Sequence, residues 1–224
     1  MSHVVIAIDG PAASGKSSVA RALAQVFGYA YVNTGAMYRA ATWYVLAKGV
    51  DPADPDRIAA LIDAAKIECG LDAARESTIR IEGIDPTRHL REAGINRHVS
   101  AVSAVPRVRD RLVAEQRAYA ERDDLVMEGR DIGSAVFPKT PYKFYIDATP
   151  EVRARRRAAQ GETDSINARD SIDSTRHTSP LLIAADAQVI DSSKLTVEGT
   201  VNEILARLKQ RNFPASAPGQ SLRK

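Results

Sequence analysis

The chain has 224 residues, of which 44% are hydrophobic, and its 31 Lys and Arg residues exceed its 28 Asp and Glu residues by a formal charge of +3. This composition suffices for a buried core and excludes an intrinsically disordered chain. The charge falls well short of a strongly basic nucleic-acid binder, so we expect no nucleic-acid partner. Cys69 is the only cysteine and no segment has the apolar length of a membrane-spanning helix, which predicts a cytoplasmic protein without disulfides or membrane contact.

Short β-branched segments alternate with helical segments along the chain. This alternation predicts an α/β fold in which a parallel sheet is flanked by helices on both faces. Ligands are then expected at the carboxyl ends of the strands. The predicted strands are 4–8, 125–127, 143–146 and 188–190, with a further one before Asn33, and the predicted helices are 21–27, 108–121, 151–159 and 197–211.

A glycine-rich segment follows the first predicted strand. Its Gly-x-x-x-x-Gly-Lys-Ser pattern is typical of a phosphate-binding P-loop, whose backbone N–H groups converge on phosphate oxygens at the positive end of a helix that Ser17 or Ser18 opens. Lys16 is expected to reach the β and γ phosphates of ATP, and the Ser17 hydroxyl to ligate Mg²⁺. The loop residues predicted to bind ATP are Gly10, Pro11, Ala12, Ala13, Ser14, Gly15, Lys16, Ser17 and Ser18.

Two regions interrupt the alternation. Residues 49–99 contain a helix and then two segments, 66–71 and 78–83, with the pattern of a small antiparallel pair, which predicts an inserted lobe. The polar, glycine-containing stretch 160–167 predicts a mobile lid over 158–179. The core is predicted to comprise 1–48 and 100–211, and residues 212–224 to form a disordered tail.

Several arginines fall at positions predicted to be loops. A P-loop needs only one lysine for ATP, so further fixed guanidinium groups predict a second phosphate group held nearby. These arginines occur in the segments 33–39, 106–109, 128–131 and 169–176.

Taken in order, these segments and the P-loop resemble the cytidylate kinase family of bacterial nucleoside monophosphate kinases. The similarity runs from Val4 to about Leu208. It implies a P-loop kinase core whose inserted lobe binds the nucleoside monophosphate. It also implies ATP-dependent phosphorylation of CMP and dCMP with Mg²⁺ as the cofactor.

The resemblance also assigns roles to individual residues. Cytosine offers an amine donor beside two acceptors, which a carboxylate and a guanidinium can satisfy. The expected catalytic residues are Lys16, Arg130 and Arg176, of which Arg176 belongs to the lid. The acceptor phosphate is assigned to Thr34, Arg39 and Arg130, the cytosine to Ser100, Arg109 and Asp131, and the ribose to Arg169 and Asp173. Arg153 and Arg157, four residues apart on one helix face, are expected beside ATP.

Three features depart from the family pattern. Asn33 stands where an acidic residue is common, and the P-loop ends in Ser17-Ser18. Only residues 158–168 separate Arg157 from Arg169, so the lid is short and its closure geometry is in question.

Other interpretations stay open at this stage. The chain could be another small P-loop kinase acting on UMP, AMP or a metabolite, or an ATP-dependent nucleic-acid-binding module, although its aromatic content of 5% offers no stacking platform. The P-loop could be a plain strand-to-helix turn, the arginines surface ion pairs, and Arg153 and Arg157 a solvated basic face. Asp9 and Glu128 could orient Mg²⁺-bound water or be ordinary strand-end acids. A monomer is expected.

Overall fold

The computed structural model describes residues 3–159, 181–211 and 213–214. In this part of the chain, five strands form one parallel sheet in the order β2-β5-β1-β6-β7, and β3 and β4 form a separate antiparallel hairpin. The predicted α/β fold is thereby confirmed. The strands are β1 (Val5–Asp9), β2 (Ala30–Asn33), β3 (Ile67–Leu71), β4 (Ser77–Ile81), β5 (Leu125–Gly129), β6 (Tyr142–Asp147) and β7 (Gln188–Asp191).

The described part of the chain contains more helices than the sequence pattern predicts, and the helix after the P-loop begins at Lys16 and not at residue 21. Arg39, predicted in a loop, lies inside a helix that Asn33 caps by accepting from Ala36 N–H. Arg109 lies inside a helix, as the predicted helix over 108–121 implies, and Pro106 occupies the first turn of that helix. The described helices are α1 (Lys16–Phe27), α2 (Thr34–Ala47), α3 (Pro55–Ala64), α4 (Ala93–Ala104), α5 (Pro106–Tyr119), α6 (Pro150–Ala159) and α7 (Val197–Gln210). No helix in the described ranges combines the length and the apolar character needed to cross a membrane.

The sheet is covered on both faces, as the mainly apolar central strands require. Val5 and Ala7 of β1 pack on one side with α2, α3 and α5, whereas Ile6 and Ile8 pack on the other side with α1 and α7. Since successive strand residues point to opposite faces, a single strand serves both cores. Because the strands of the sheet are parallel, their carboxyl ends lie together at one edge of the sheet, where the P-loop follows β1.

The β3–β4 hairpin packs on the main core. Tyr31 N–H donates to the carbonyl of Arg75 at 2.9 Å, and Asn33 N–H donates to Ser77 Oγ at 3.1 Å. Glu76, in the same turn, pairs with Arg21 of α1 at 2.6 Å. The antiparallel pair is confirmed, and its buried isoleucines share one apolar cluster with β1 and β2. The lobe boundaries at 49 and 99 stay a prediction.

The chain beyond α7 begins with a buried aromatic residue. The ring of Phe213 lies 4.7 Å from that of Tyr142 and 5.0 Å from that of Phe27. This contact fastens the end of α7 to the sheet. Residue 212 and residues 215–224 lie outside the described residues, so the disordered tail over 212–224 stays a prediction.

Candidate active site

The P-loop curls between β1 and α1, and two of its glycines are required by the backbone. A Cβ on Gly10 would lie 2.1 Å from the carbonyl oxygen of Ile146 on β6, closer than any side chain can approach. Gly15, which immediately precedes α1, has φ +93°, a conformation that residues with a side chain rarely adopt. These two positions allow the loop to close tightly against the sheet.

Lys16 and Ser17 stand at the beginning of α1, where the helix dipole is positive. Lys16 is buried, and its Nζ donates to the carbonyl of Pro11 at 3.0 Å, across the mouth of the loop. Ser17 Oγ donates to Glu128 Oε1 at 2.8 Å. The P-loop lysine and the predicted metal-binding hydroxyl therefore face the same edge of the sheet.

Glu128 is the penultimate residue of β5, where it is paired in register with Ile8 of β1. Its Oε1 also lies 3.4 Å from the hydroxyl of Tyr31. Burial, reinforced by the Glu128 carboxylate, raises the pKa of Tyr31 far above its ordinary range, so this hydroxyl stays protonated and can donate. Glu128 thus places a buried carboxylate next to Ser17.

Arg130 links the next loop to the phosphate-binding segment. Its Nη1 donates to the carbonyl of Gly10 at 3.0 Å. The side chain reaches the P-loop from the carboxyl end of β5, a neighbouring strand. The structure thus brings together Lys16 and Arg130, two of the three expected catalytic cations.

Thr34 and Arg39 both belong to α2, but they point to different neighbours. Thr34 Oγ1 donates to the carbonyl of Glu128 at 2.8 Å, which holds the start of α2 against β5. Arg39 Nη1 donates to the carbonyl of Leu90 at 3.1 Å and to Asn96 Oδ1 on α4. Thr34 lies beside the P-loop edge, whereas Arg39 connects α2 to the segment around α4.

The residues predicted to recognise cytosine are buried. Arg109 of α5 forms an ion pair with Asp131, which follows β5, and its guanidinium lies 5.5 Å from the centre of the Tyr38 ring. Arg109 Nη1 is buried and has no hydrogen-bond partner among the described residues, so it can donate to a bound molecule. Ser100 is buried on α4, which packs against α5.

Helix α6 carries four arginines, Arg153, Arg155, Arg156 and Arg157, of which Arg153 and Arg156 contact the P-loop. Arg153 and Arg157 are 8% and 7% exposed, so the solvated basic face is wrong for both. Arg153 donates to the carbonyls of Ala148 at 3.1 Å and Ala12 at 3.3 Å, which places it under the P-loop. Arg156, which the sequence reasoning did not single out, donates to the carbonyl of Ser14 at 3.0 Å.

Asp9 holds the turn that follows β5. Its carboxylate accepts the backbone N–H groups of Ile132 and Gly133, both at 2.7 Å. Burial nevertheless dominates these hydrogen bonds and raises the pKa of Asp9 to about 7. Asp9 therefore shapes the loop that carries Arg130 and Asp131.

The raised pKa of Asp9 predicts a pH-dependent stability. Because the folded pKa lies above the ordinary value of 3.8, the stability that this carboxyl contributes is complete below pH about 4 and declines as the pH rises toward about 7. In urea titrations, we expect the free energy of unfolding of the wild type, measured relative to that of Asp9→Asn, to fall by a few kcal/mol across that interval. A difference that stays constant with pH would show that the two backbone donors keep Asp9 ionised.

Three predicted residues, Arg169, Asp173 and Arg176, lie outside the described residues, as does most of the predicted lid. Their roles stay predictions. Within the described ranges, no group of three or more His, Cys, Asp or Glu side chains is arranged to hold a metal ion. Cys69 is half-buried, and burial raises the pKa of its thiol to about 12, which fits an inert thiol.

Comparison with known proteins gives a consistent result. The cytidylate kinase family model matches residues 6–210. The chain is 44% identical to the cytidylate kinase of Pelotomaculum thermopropionicum over 91% of this chain and 95% of that protein. It is 43% identical to the cytidylate kinase of Nocardia farcinica over 96% and 97% of the two chains, and 44% identical to that of Rhodococcus opacus over 94% and 97%. The chain belongs to the cytidylate kinase family.

Proposed function

We propose that this protein transfers the γ-phosphoryl group of ATP to CMP and dCMP, producing ADP and the corresponding diphosphates. We choose CMP as the acceptor because of the Arg109–Asp131 pair, which lies at the P-loop edge of the sheet. Arg109 Nη1 is a buried donor without an acceptor among the described residues, and Asp131 has a second carboxylate oxygen that can accept a hydrogen bond. Cytosine presents the matching amine and ring acceptors.

The oxygen atoms around Ser17 fit Mg²⁺ as the cofactor. The Ser17 hydroxyl and the Glu128 carboxylate, 2.8 Å apart, are the hard donors that Mg²⁺ prefers. They are too few for an all-protein site, which agrees with the way Mg²⁺ keeps water and substrate phosphate oxygens as its remaining ligands. When bound, Mg²⁺ would neutralise charge on the phosphates.

The protein's own part in the reaction is to position two phosphate groups and stabilise charge between them. No general base is needed, because an acceptor phosphate is already mostly ionised near pH 7. Lys16 Nζ and Arg130 Nη1 contact the adjacent P-loop carbonyls of Pro11 and Gly10, so both cations can stabilise the charge that spreads over the transferring group. In this proposal, Arg176 adds a third cation from the lid, while Arg169 and Asp173 hold the ribose.

The test of this proposal is an ADP-release assay with Mg²⁺ and ATP against CMP, dCMP, UMP and AMP. We expect efficient turnover with CMP and dCMP, weaker turnover with UMP, and none with AMP. Equal turnover with UMP and CMP would contradict the cytosine-reading role of Arg109 and Asp131. We also propose that the protein acts as a monomer in the cytoplasm, and gel filtration of the same sample tests the monomeric state.

A further inference from the structure

The carbonyl group of Ser14, in the middle of the P-loop, is held by two side chains from distant parts of the chain. Arg156 Nη1 donates to it at 3.0 Å, and Ser192 Oγ donates to it at 2.8 Å. Arg156 lies on α6, and Ser192 immediately follows β7. Neither residue belongs to the set assigned above to ATP, to the acceptor or to Mg²⁺.

The two side chains form one unit. Arg156 Nη2 donates to the carbonyl of Ser192 at 2.8 Å, and its Nη1 lies 3.1 Å from Ser192 Oγ. Ser192 Oγ accepts from the guanidinium, and its hydroxyl proton lies within hydrogen-bond distance of two carbonyl oxygens, that of Ser14 at 2.8 Å and that of Asp147 at 2.9 Å. The carbonyl of Asp147 also accepts the N–H of Ser192, which holds Ser192 in place beside the P-loop. Ser192 is 3% exposed, so water competes little for these bonds.

Fixing this carbonyl also fixes the next N–H group. In a trans peptide the C=O and the following N–H point in opposite directions, and the described chain contains no cis peptide bond. Because the Ser14 oxygen points to Arg156 and Ser192, the N–H of Gly15 points away from these two side chains. Gly15 has no side chain to restrict its backbone, so this peptide plane could otherwise rotate.

We propose that Arg156 and Ser192 are positioning residues for ATP, which hold the Ser14–Gly15 peptide so that Gly15 N–H is aimed at a phosphate oxygen. This inference rests on the ATP binding in the proposed function, and it does not depend on which acceptor is phosphorylated. Preorganised backbone donors bind an anion more tightly because no ordering is required when the anion arrives.

The test is Ser192→Ala, studied by calorimetric titration with Mg²⁺-ATP in the absence of acceptor. Losing one of the two donors should weaken ATP binding by about five- to tenfold. The KM for ATP should rise by a similar factor, while the KM for CMP at saturating ATP stays unchanged. Arg156→Lys should weaken ATP binding further, since a lysine keeps the charge but loses the forked geometry.

The neighbouring Ser193→Ala is the matched control. Ser193 Oγ bonds to Asp191 and accepts the N–H of Thr149 at 2.9 Å, so it stabilises the same loop without reaching Ser14. It should bind ATP as the wild type does. The positioning role is overturned if Ser192→Ala binds ATP normally, or if Ser193→Ala loses as much affinity. If Ser192→Ala weakens ATP binding although the wild type does not phosphorylate CMP, the proposed acceptor fails and the positioning role stands.

Discussion

We expect Lys16→Ala to lower the turnover number with ATP and CMP by about a hundred- to a thousandfold. The lysine supplies a cation that is buried at the mouth of the P-loop, where its Nζ lies 3.0 Å from the Pro11 carbonyl. In a buried site the attraction between that cation and a transferring phosphoryl group is stronger than in water. A steady-state ADP-release assay at saturating CMP and ATP measures the loss.

Lys139→Ala is the control variant, because it removes an exposed lysine near the amino ends of the strands, at the edge of the sheet opposite the P-loop. The adjacent Thr140 donates to the carbonyl of Val5, at the beginning of β1, whereas the P-loop follows the end of that strand. Lys139→Ala should retain full turnover. Melting temperatures of both variants should stay close to that of the wild type. Near-normal turnover in Lys16→Ala would contradict the assignment of this loop to ATP.

The local parts of this fold could be predicted from the sequence. The P-loop depends on a few consecutive residues, so the spacing of Gly10, Gly15, Lys16 and Ser17 is enough to identify it. Their backbone geometry in the structure agrees with the pattern, including the positive φ of Gly15. The parallel sheet is also predictable, since its strands are short, mainly apolar segments that alternate with helical ones.

The contacts between distant segments could not be predicted in the same way. Arg156 reaches the P-loop only because α6 packs with a particular rotation beside a loop 142 residues earlier in the chain. The i,i+4 rule selected Arg153 and Arg157 on this helix and passed over Arg156, which lies between them in the sequence. The only feature of the sequence that points to Ser192 is its position just after the carboxyl end of a predicted strand.

The ion pair between Arg109 and Asp131 could likewise not be predicted from the sequence. Arg109 and Asp131 were each predicted to contact cytosine, but not to pair with each other in the interior. Asp131 compensates a buried guanidinium, and in the proposed function it also accepts from the base. Replacing it with alanine would leave the Arg109 charge uncompensated, at about 3 to 5 kcal/mol of stability, and would obscure any effect on specificity.

Asp131→Asn separates these functions, and we expect it to lower the ratio of kcat/KM for CMP to that for UMP by about 10- to 100-fold. The asparagine keeps an oxygen for Arg109 and nearly the same volume. Its amide can donate to the O4 atom of uracil, which the carboxylate of Asp131 repels, while the amine of cytosine loses its charged acceptor. The ratio is measured in the same ADP-release assay with each acceptor at low concentration.

Asp110→Asn is the matched control, because it removes the same charge from the exposed side of α5, one residue after Arg109. It should leave the ratio of CMP to UMP unchanged. A fall in kcat/KM by the same factor for both acceptors, accompanied by a lower melting temperature, would mean that Asp131 acts only by holding Arg109 in place. A selective loss for CMP at an unchanged melting temperature would instead identify the second carboxylate oxygen as the group that distinguishes the amine of cytosine from the carbonyl of uracil.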